Sequence, residues 1–466
     1  MRLPFLALAL PALLSAQLPT LSANTRHWAS VTEPVVALTH VRVVDGTGAA
    51  PMEDQTVLLR DGKIAAVGKT VAIPAGARTM DLTGHTVIPG IVGLHDHSYY
   101  MTSGRAVQIN TSGPRMYLGS GVTTIRTTGS RSPYEELNLR WRIETGDIAG
   151  PRMYVTGPYL TGESGISGMY NVRNAEDARR VVAYWASEGV SWLKFYTTVS
   201  REAMKAVIDE AHKHGVKVTG HLCSVTYKEA VGLGIDNLEH GLFANTDYVA
   251  NKKPDECPSD AMASFNSLDV NSAAVKETFA TMIRAKVPMT STLVVYELFV
   301  PNRPPLEQRV LDAMSPEVRN EYLVSRSRLG EPGAFAITPE VFRTAQAYEL
   351  AFVRAGGLLA AGVDPTGNGG ALPGFGDQRN YELLIEAGFS PVEAIQIMTA
   401  NGAKVLGAYA RFGSITAGKL ADLLVIRGNP IATPAEIRNV VTVFKDGIGY
   451  DSVRLLDSVK GVVGIR

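Results

Sequence analysis

The chain is poor in cysteine. Its 466 residues hold two, Cys223 and Cys257. In an oxidising compartment they could pair, but the spacing alone does not bring them together. The reading favoured here is two unpaired thiols, with Cys223 half-buried. The chain also lacks an excess of charge of either sign, with 45 Lys and Arg against 45 Asp and Glu. That removes the electrostatic case for nucleic acid or an anionic membrane surface. Long apolar runs are missing after the N-terminus, so no later segment is a candidate membrane helix.

The start of the chain is different. One Arg precedes an almost wholly apolar stretch from Leu3 to Leu14, and Ser15-Ala16-Gln17 follows. A charged start, a short apolar core and a small-residue break predict a signal peptide within 1–23 and a periplasmic or secreted protein. Leu14 and Leu21 stand third from the candidate ends Ala16 and Ala23, which makes neither cleavage site ideal. No cysteine follows to carry a lipid. An uncleaved anchor is the alternative.

His95 and His97 are the most informative residues present. They close the run Val87-Ile88-Pro89-Gly90-Ile91-Val92-Gly93-Leu94-His95-Asp96-His97. On a strand, residues i and i+2 share a face, so both imidazoles aim at one point, as metal ligands do. Such a pair alone is as often exposed or merely hydrogen-bonded. Further polar residues also stand in or at the ends of short apolar runs: Lys194 in Ser191–Tyr196, His221 after Val216–Gly220, His240 after Ile235–Glu239 and Asp364 after Leu358–Val363. Singly, a buried lysine could pair with a carboxylate, a strand-end histidine could be a core residue, and Asp364 before Pro365 could begin a turn. Their succession is harder to reach by chance.

With these residues the chain resembles the amidohydrolase superfamily of metal-dependent hydrolases. The likeness is nearest to imidazolonepropionase-like enzymes and Xaa-Pro dipeptidases, and it runs from about Val36 to about Gly447. Asp61-Gly62-Lys63-Ile64, Gly121-Val122-Thr123-Thr124-Ile125-Arg126, Gly150-Pro151-Arg152, Glu239-His240-Gly241 and Gly418-Lys419-Leu420-Ala421-Asp422-Leu423 support it. The resemblance implies that His95 and His97 hold one metal and that Lys194, carboxylated on its amine, bridges two. It implies that His221 and His240 hold the second, while Asp364 binds metal and shuttles a proton. Two positions depart from the pattern. Gly93 stands where the family usually carries Asp, and Thr127 follows Arg126 where Asp is common. The first difference removes a possible partner for a ligand imidazole.

The pattern along the chain predicts an α/β fold. Short alternating runs over 35–87, with a hairpin signal at Asp61-Gly62, read as a small β unit. Strand-like and helical runs alternate over 88–408, including helical spacing at Ala175–Ala186 and Glu202–His212, and predict a (β/α)8 TIM-like barrel. The β pattern returns over 409–455 and is expected to join the first unit in a sandwich built from both chain ends. Two long stretches, Phe243–Lys276 and Val300–Pro339, exceed ordinary connections and are expected to cap the site.

Imidazole and carboxylate ligands suit two divalent ions, Zn²⁺ first, with Mn²⁺, Co²⁺ or Fe²⁺ compatible. The expected activity is hydrolysis of a C–N bond in a small amide, lactam or cyclic amide, more readily than in a peptide. A Xaa-Pro-type dipeptidase and a non-catalytic barrel used for binding or assembly are the alternatives. The expected partner is a small-molecule substrate, with neither nucleic acid nor membrane, and a homo-oligomer is compatible. Tyr196, two residues past Lys194, and Arg126, at the end of the second barrel strand, are candidate substrate-binding residues. Arg126 could pair a substrate carboxylate bidentately.

Overall fold

The computed structural model describes residues 18–102, 104–163 and 168–465. The apolar start, 1–17, lies outside them. No helix among the described residues is long and apolar enough to cross a membrane.

Eight parallel strands position the site: β1 (Ile91–Asp96), β2 (Val122–Thr127), β3 (Thr156–Thr161), β4 (Trp192–Phe195), β5 (Lys217–Gly220), β6 (Asn237–Glu239), β7 (Met289–Ser291) and β8 (Leu359–Ala361). Most are short and wholly buried, as strands covered on both faces must be. Helices such as Ala175–Ser187 and Arg201–Lys213 lie between them, each started by a side-chain cap, Asn174 and Ser200.

Hydrogen bonding draws these strands as two parallel sheets rather than one unbroken ladder. One contains β1, β2 and the short strand Arg152–Tyr154. The other runs β3 to β8 in chain order behind Tyr170–Asn171. Val155 alone separates Arg152–Tyr154 from β3, so one length of chain serves both sheets. On the other side the seam is thin. Asp364 N–H donates to His95 C=O at 2.7 Å, and Val363 N–H donates to the Asp96 carboxylate at 3.2 Å.

The two chain ends do meet. Strands from Ala29–Val31 to His85–Pro89 share one nine-stranded sheet with Leu423–Arg427, Val440–Lys445 and Ile448–Asp451. The pairing gives a single sheet, not the two facing sheets of the expected sandwich. That sheet bends back on itself. Ile64 N–H donates to Lys419 C=O at 2.9 Å, and Lys63 pairs with Leu420. Val36, Leu38, Val57, Leu59, Leu423, Val425 and Phe444 fill the fold of the bend. At the Asp61–Gly62 turn both residues take positive φ, 49° and 79°, the primed turn that matches strand twist.

The two cysteines are bonded, which corrects the expectation of free thiols. The first long insertion folds back over the loop after β5 and carries Cys257 to within 4.9 Å of Cys223, Cα to Cα.

Candidate metal centre

The structure brings the strand-end residues to one place. His95 lies in β1 and His97 just after it; Lys194 is in β4, His221 follows β5 and His240 follows β6. Asp364 stands three residues after β8. Backbone bonds to neighbouring strands hold three of these ends: His221 N–H to Phe195 C=O at 3.1 Å, His240 N–H to Thr290 C=O at 2.9 Å, and the Asp364–His95 bond. His240 and Asp364 both sit in the left-handed region, φ 69° and 49°. Such backbone costs energy in a non-glycine residue and concentrates at functional sites.

The tightest group is His95, His240 and Asp364, whose ligand atoms all lie within 4.8 Å of one another. His97 Nε2 stands 3.3 Å from Asp364 Oδ1, and His95 Nε2 3.6 Å from Oδ2. Lys194 Nζ is 3.0 Å from His95 Nε2. The His221 ring packs on His240 with centroids 4.3 Å apart. All but His221 are buried; His221 is half-buried.

Two imidazoles have one nitrogen committed and the other turned inward. His95 Nδ1 donates to Glu239 Oε2 at 2.8 Å, and His240 Nδ1 pairs with Thr292 Oγ1 at 2.8 Å. His240 Nε2 is then buried without a hydrogen-bond partner. A ring held by one nitrogen and offering the other in a buried pocket is the usual setting of a metal-ligating histidine. The donor set of imidazole, carboxylate and a convertible lysine therefore fits a divalent ion.

The electrostatics agree with ligand chemistry. Burial drives His97 down to about 4, and holds His95, His221 and His240 below the ordinary imidazole value. All four are neutral at pH 7, the ligating form. Burial also lowers Lys194 to about 8, bringing its free amine within reach. Burial alone would raise Asp364, but any charge on His95, the hydrogen bond with His97 and any charge on His240 outweigh it and hold the carboxyl well below its ordinary range.

Arg126 does not face a substrate, and the expectation is corrected. It is wholly buried beneath the site, its guanidinium 4.5 Å above the Trp192 ring and ion-paired to Glu239. Its work is to hold Glu239, which also accepts from Thr219 and from Asn237 Nδ2. Tyr196 does stand in the site wall, half-buried, its ring 5.0 Å from His221 and 5.8 Å from Tyr159.

Both departures from the family pattern have a local explanation. A Cβ at Gly93 would overlap the Asp96 carboxylate, so a neighbour three residues on fills the space a side chain there would take. The orienting carboxylate comes instead from Glu239. Thr127 spends its hydroxyl on Thr156 N–H at 3.0 Å, stitching β2 to β3.

Sequence reasoning missed Glu239, Thr292, Tyr99 and Tyr159. Tyr99 stacks on His97 with centroids 4.5 Å apart and shares a short hydroxyl contact with Tyr159. The capping segments also reach the mouth. Phe243 stacks on Tyr296 at 3.9 Å, and Tyr296 turns its edge to His240 at 5.6 Å. Glu321 of the second insertion accepts from Thr102 at 2.6 Å and from Arg105 at 2.9 Å.

The model of the amidohydrolase family matches residues 86–253 and 360–448, more than half of the chain. The chain belongs to the amidohydrolase family, whose members are typically metal-dependent and carry a TIM-like barrel. A dihydroorotase of Mycobacterium tuberculosis is 38% identical over 77 residues, 16% of this chain and 18% of that protein. The match thus spans less than a fifth of that relative. Among solved structures, a putative prolidase from Bifidobacterium longum is 26% identical, with a TM-score of 0.64 over 91% of this chain and 98% of that one. A bottromycin amidohydrolase is 21% identical, with a TM-score of 0.68 over 92% of this chain and 89% of that one, a likeness of fold.

Proposed function

We propose that the protein hydrolyses a C–N bond in a small amide, lactam or cyclic amide, using two divalent ions, Zn²⁺ first. The observation that carries this reading is the buried His95, His240 and Asp364 group, with Glu239 and Thr292 each holding one imidazole. His95 and His97 would hold one ion, His221 and His240 the other, and Asp364 would touch the first. Lys194, as its neutral amine, would add to CO₂ and lose a proton, and the carbamate so formed would help hold the ions. Bound there, the ions would lower the pKa of a water to about 7 and polarise a substrate carbonyl.

The chain's own residues supply the rest. Asp364 is ionised, lies against His95 and His97, and accepts the proton of the attacking water before passing it to the leaving nitrogen. Tyr99, Tyr159, Tyr196 and Tyr296 wall the site and exclude bulk water. The eight strands would close into one barrel across the β8–β1 seam. Export is part of the same proposal. Cleavage after Ala16 suits the folded chain better than cleavage after Ala23, because Leu21 is buried and Ser22 Oγ caps the helix Ala23–Arg26.

A Xaa-Pro dipeptidase is the second reading, favoured by the likeness to the Bifidobacterium prolidase along nearly both chains. Metal-loaded protein should be screened against N-acyl amino acids, Xaa-Pro dipeptides and lactams. Turnover of an acyl amide or lactam supports the first reading, and turnover confined to the dipeptides supports the second. Metal-loaded protein inert on all three classes would favour a non-catalytic barrel, against which the complete ligand set argues.

A further inference from the structure

The phenol of Tyr159 occupies an unusual position. It lies in β3, in register with Lys194 of β4, so strand pairing fixes one relative to the other. Lys194 Nζ sits 5.3 Å above the centroid of its ring. Its hydroxyl has two neighbours, the Tyr99 hydroxyl and His97 Nε2 at 3.4 Å. That nitrogen is the one that faces Asp364 Oδ1 at 3.3 Å. The side chain is 4% exposed. Gly129 makes the arrangement possible. With φ at 90°, it passes so close that a Cβ there would run into the Tyr159 ring.

Were His97 to hold an ion through Nε2, that nitrogen would no longer accept from the phenol. With Tyr99 as the donor of the hydroxyl pair, the Tyr159 O–H would be free for an oxygen beside His97. A tyrosine hydroxyl ordinarily keeps its proton until about pH 10, so it is a donor at neutral pH.

We propose that Tyr159 is a further catalytic residue, whose phenol O–H donates a hydrogen bond to the oxyanion formed when the substrate carbonyl is attacked. The inference rests on the hydrolase reading above. The attacking oxygen forms a bond to the carbonyl carbon, the C=O π pair moves onto oxygen, and the phenol keeps its proton. A fixed donor in a dry site costs little reorganisation as the charge develops.

Tyr159→Phe keeps the ring and removes the hydroxyl. It should lower kcat by about 10²- to 10³-fold, the cost of losing one oxyanion donor, with a smaller change in KM. Bound metal should be unchanged. Methylphosphonate serves as a tetrahedral anionic probe, and its Kd for the metal-loaded variant should rise by a comparable factor. Unchanged kcat, unchanged methylphosphonate affinity, or loss of metal in Tyr159→Phe would each overturn the proposal. Methylphosphonate binding needs no turnover, so it separates this failure from that of the hydrolase reading, which shows as inert wild-type protein.

Discussion

Glu239 Oε2 accepts the Nδ1 proton of His95 at 2.8 Å, and no solvent reaches either side chain. This bond fixes the tautomer of His95 and turns Nε2 toward Lys194 and Asp364. The same carboxylate pairs with buried Arg126, which holds it well below the usual carboxylate range despite burial. Glu239→Gln should therefore weaken metal binding by about 10- to 100-fold, the usual cost of losing an orienting partner. It should also lower stability by about 3–5 kcal/mol, because Arg126 is left as an unpaired buried charge. Chelator competition and thermal melts measure the two separately. Unchanged metal affinity would mean that His95 needs no orientation.

Lys194 is buried, lowered to about 8 and 3.0 Å from His95 Nε2. Lys194→Ala should lose metal and hydrolysis yet remain folded, with partial rescue by a short carboxylic acid and bicarbonate. An alanine variant with full metal content would remove Lys194 from the ligand set.

Asp364→Asn keeps the shape and one ligand oxygen but cannot carry a proton. It should lower kcat by about 10²-fold or more, with smaller changes in KM and bound metal, as expected for lost acid–base help. Near-normal kcat at saturating metal would move the search for the base elsewhere.

Much of this centre was legible in the sequence, for a physical reason. His95, His97, Lys194, His221, His240 and Asp364 each interrupt or end an apolar run, and a strand delivers its end residue to a predictable place. Glu239 gave no such signal. It ends the strand just before His240 but serves His95, 144 residues away. Tyr159 and Thr292 likewise act through partners that only the packed strands bring near. Arg126 was misread because a strand-end guanidinium looks offered to solvent, whereas Trp192 and Glu239 enclose it. In the fold, the small β unit and the alternation of strands and helices could be read from periodicity. The single bent sheet could not, because Lys63 meets Leu420 only through the whole intervening chain.

The Cys223–Cys257 disulfide closes a loop across a sequence separation of 34 and tethers the first insertion two residues from His221. Cys257→Ser should cost about 3–4 kcal/mol on the loop-entropy account. It should also open the 243–276 segment to limited proteolysis. Equal melting points with and without reductant would show that the tether adds nothing.

Glu349 is buried with Oε2 unpartnered, and burial pushes its carboxyl up to about 8. The folded chain therefore holds this proton where the unfolded chain, with an ordinary carboxyl, has lost it. The contribution to stability is complete below the unfolded value and is lost as pH rises toward 8. Glu349→Gln should melt with a shallower decline than wild type between pH 5 and 9. Parallel curves would show that the carboxyl is not held neutral.

The central claim is a two-ion hydrolytic centre, and metal analysis coupled to activity tests it most directly. Purified wild-type protein should contain about two equivalents of transition metal. Chelation should abolish amide hydrolysis, and added Zn²⁺ or Mn²⁺ should restore it. Full activity in protein freed of metal would contradict the account.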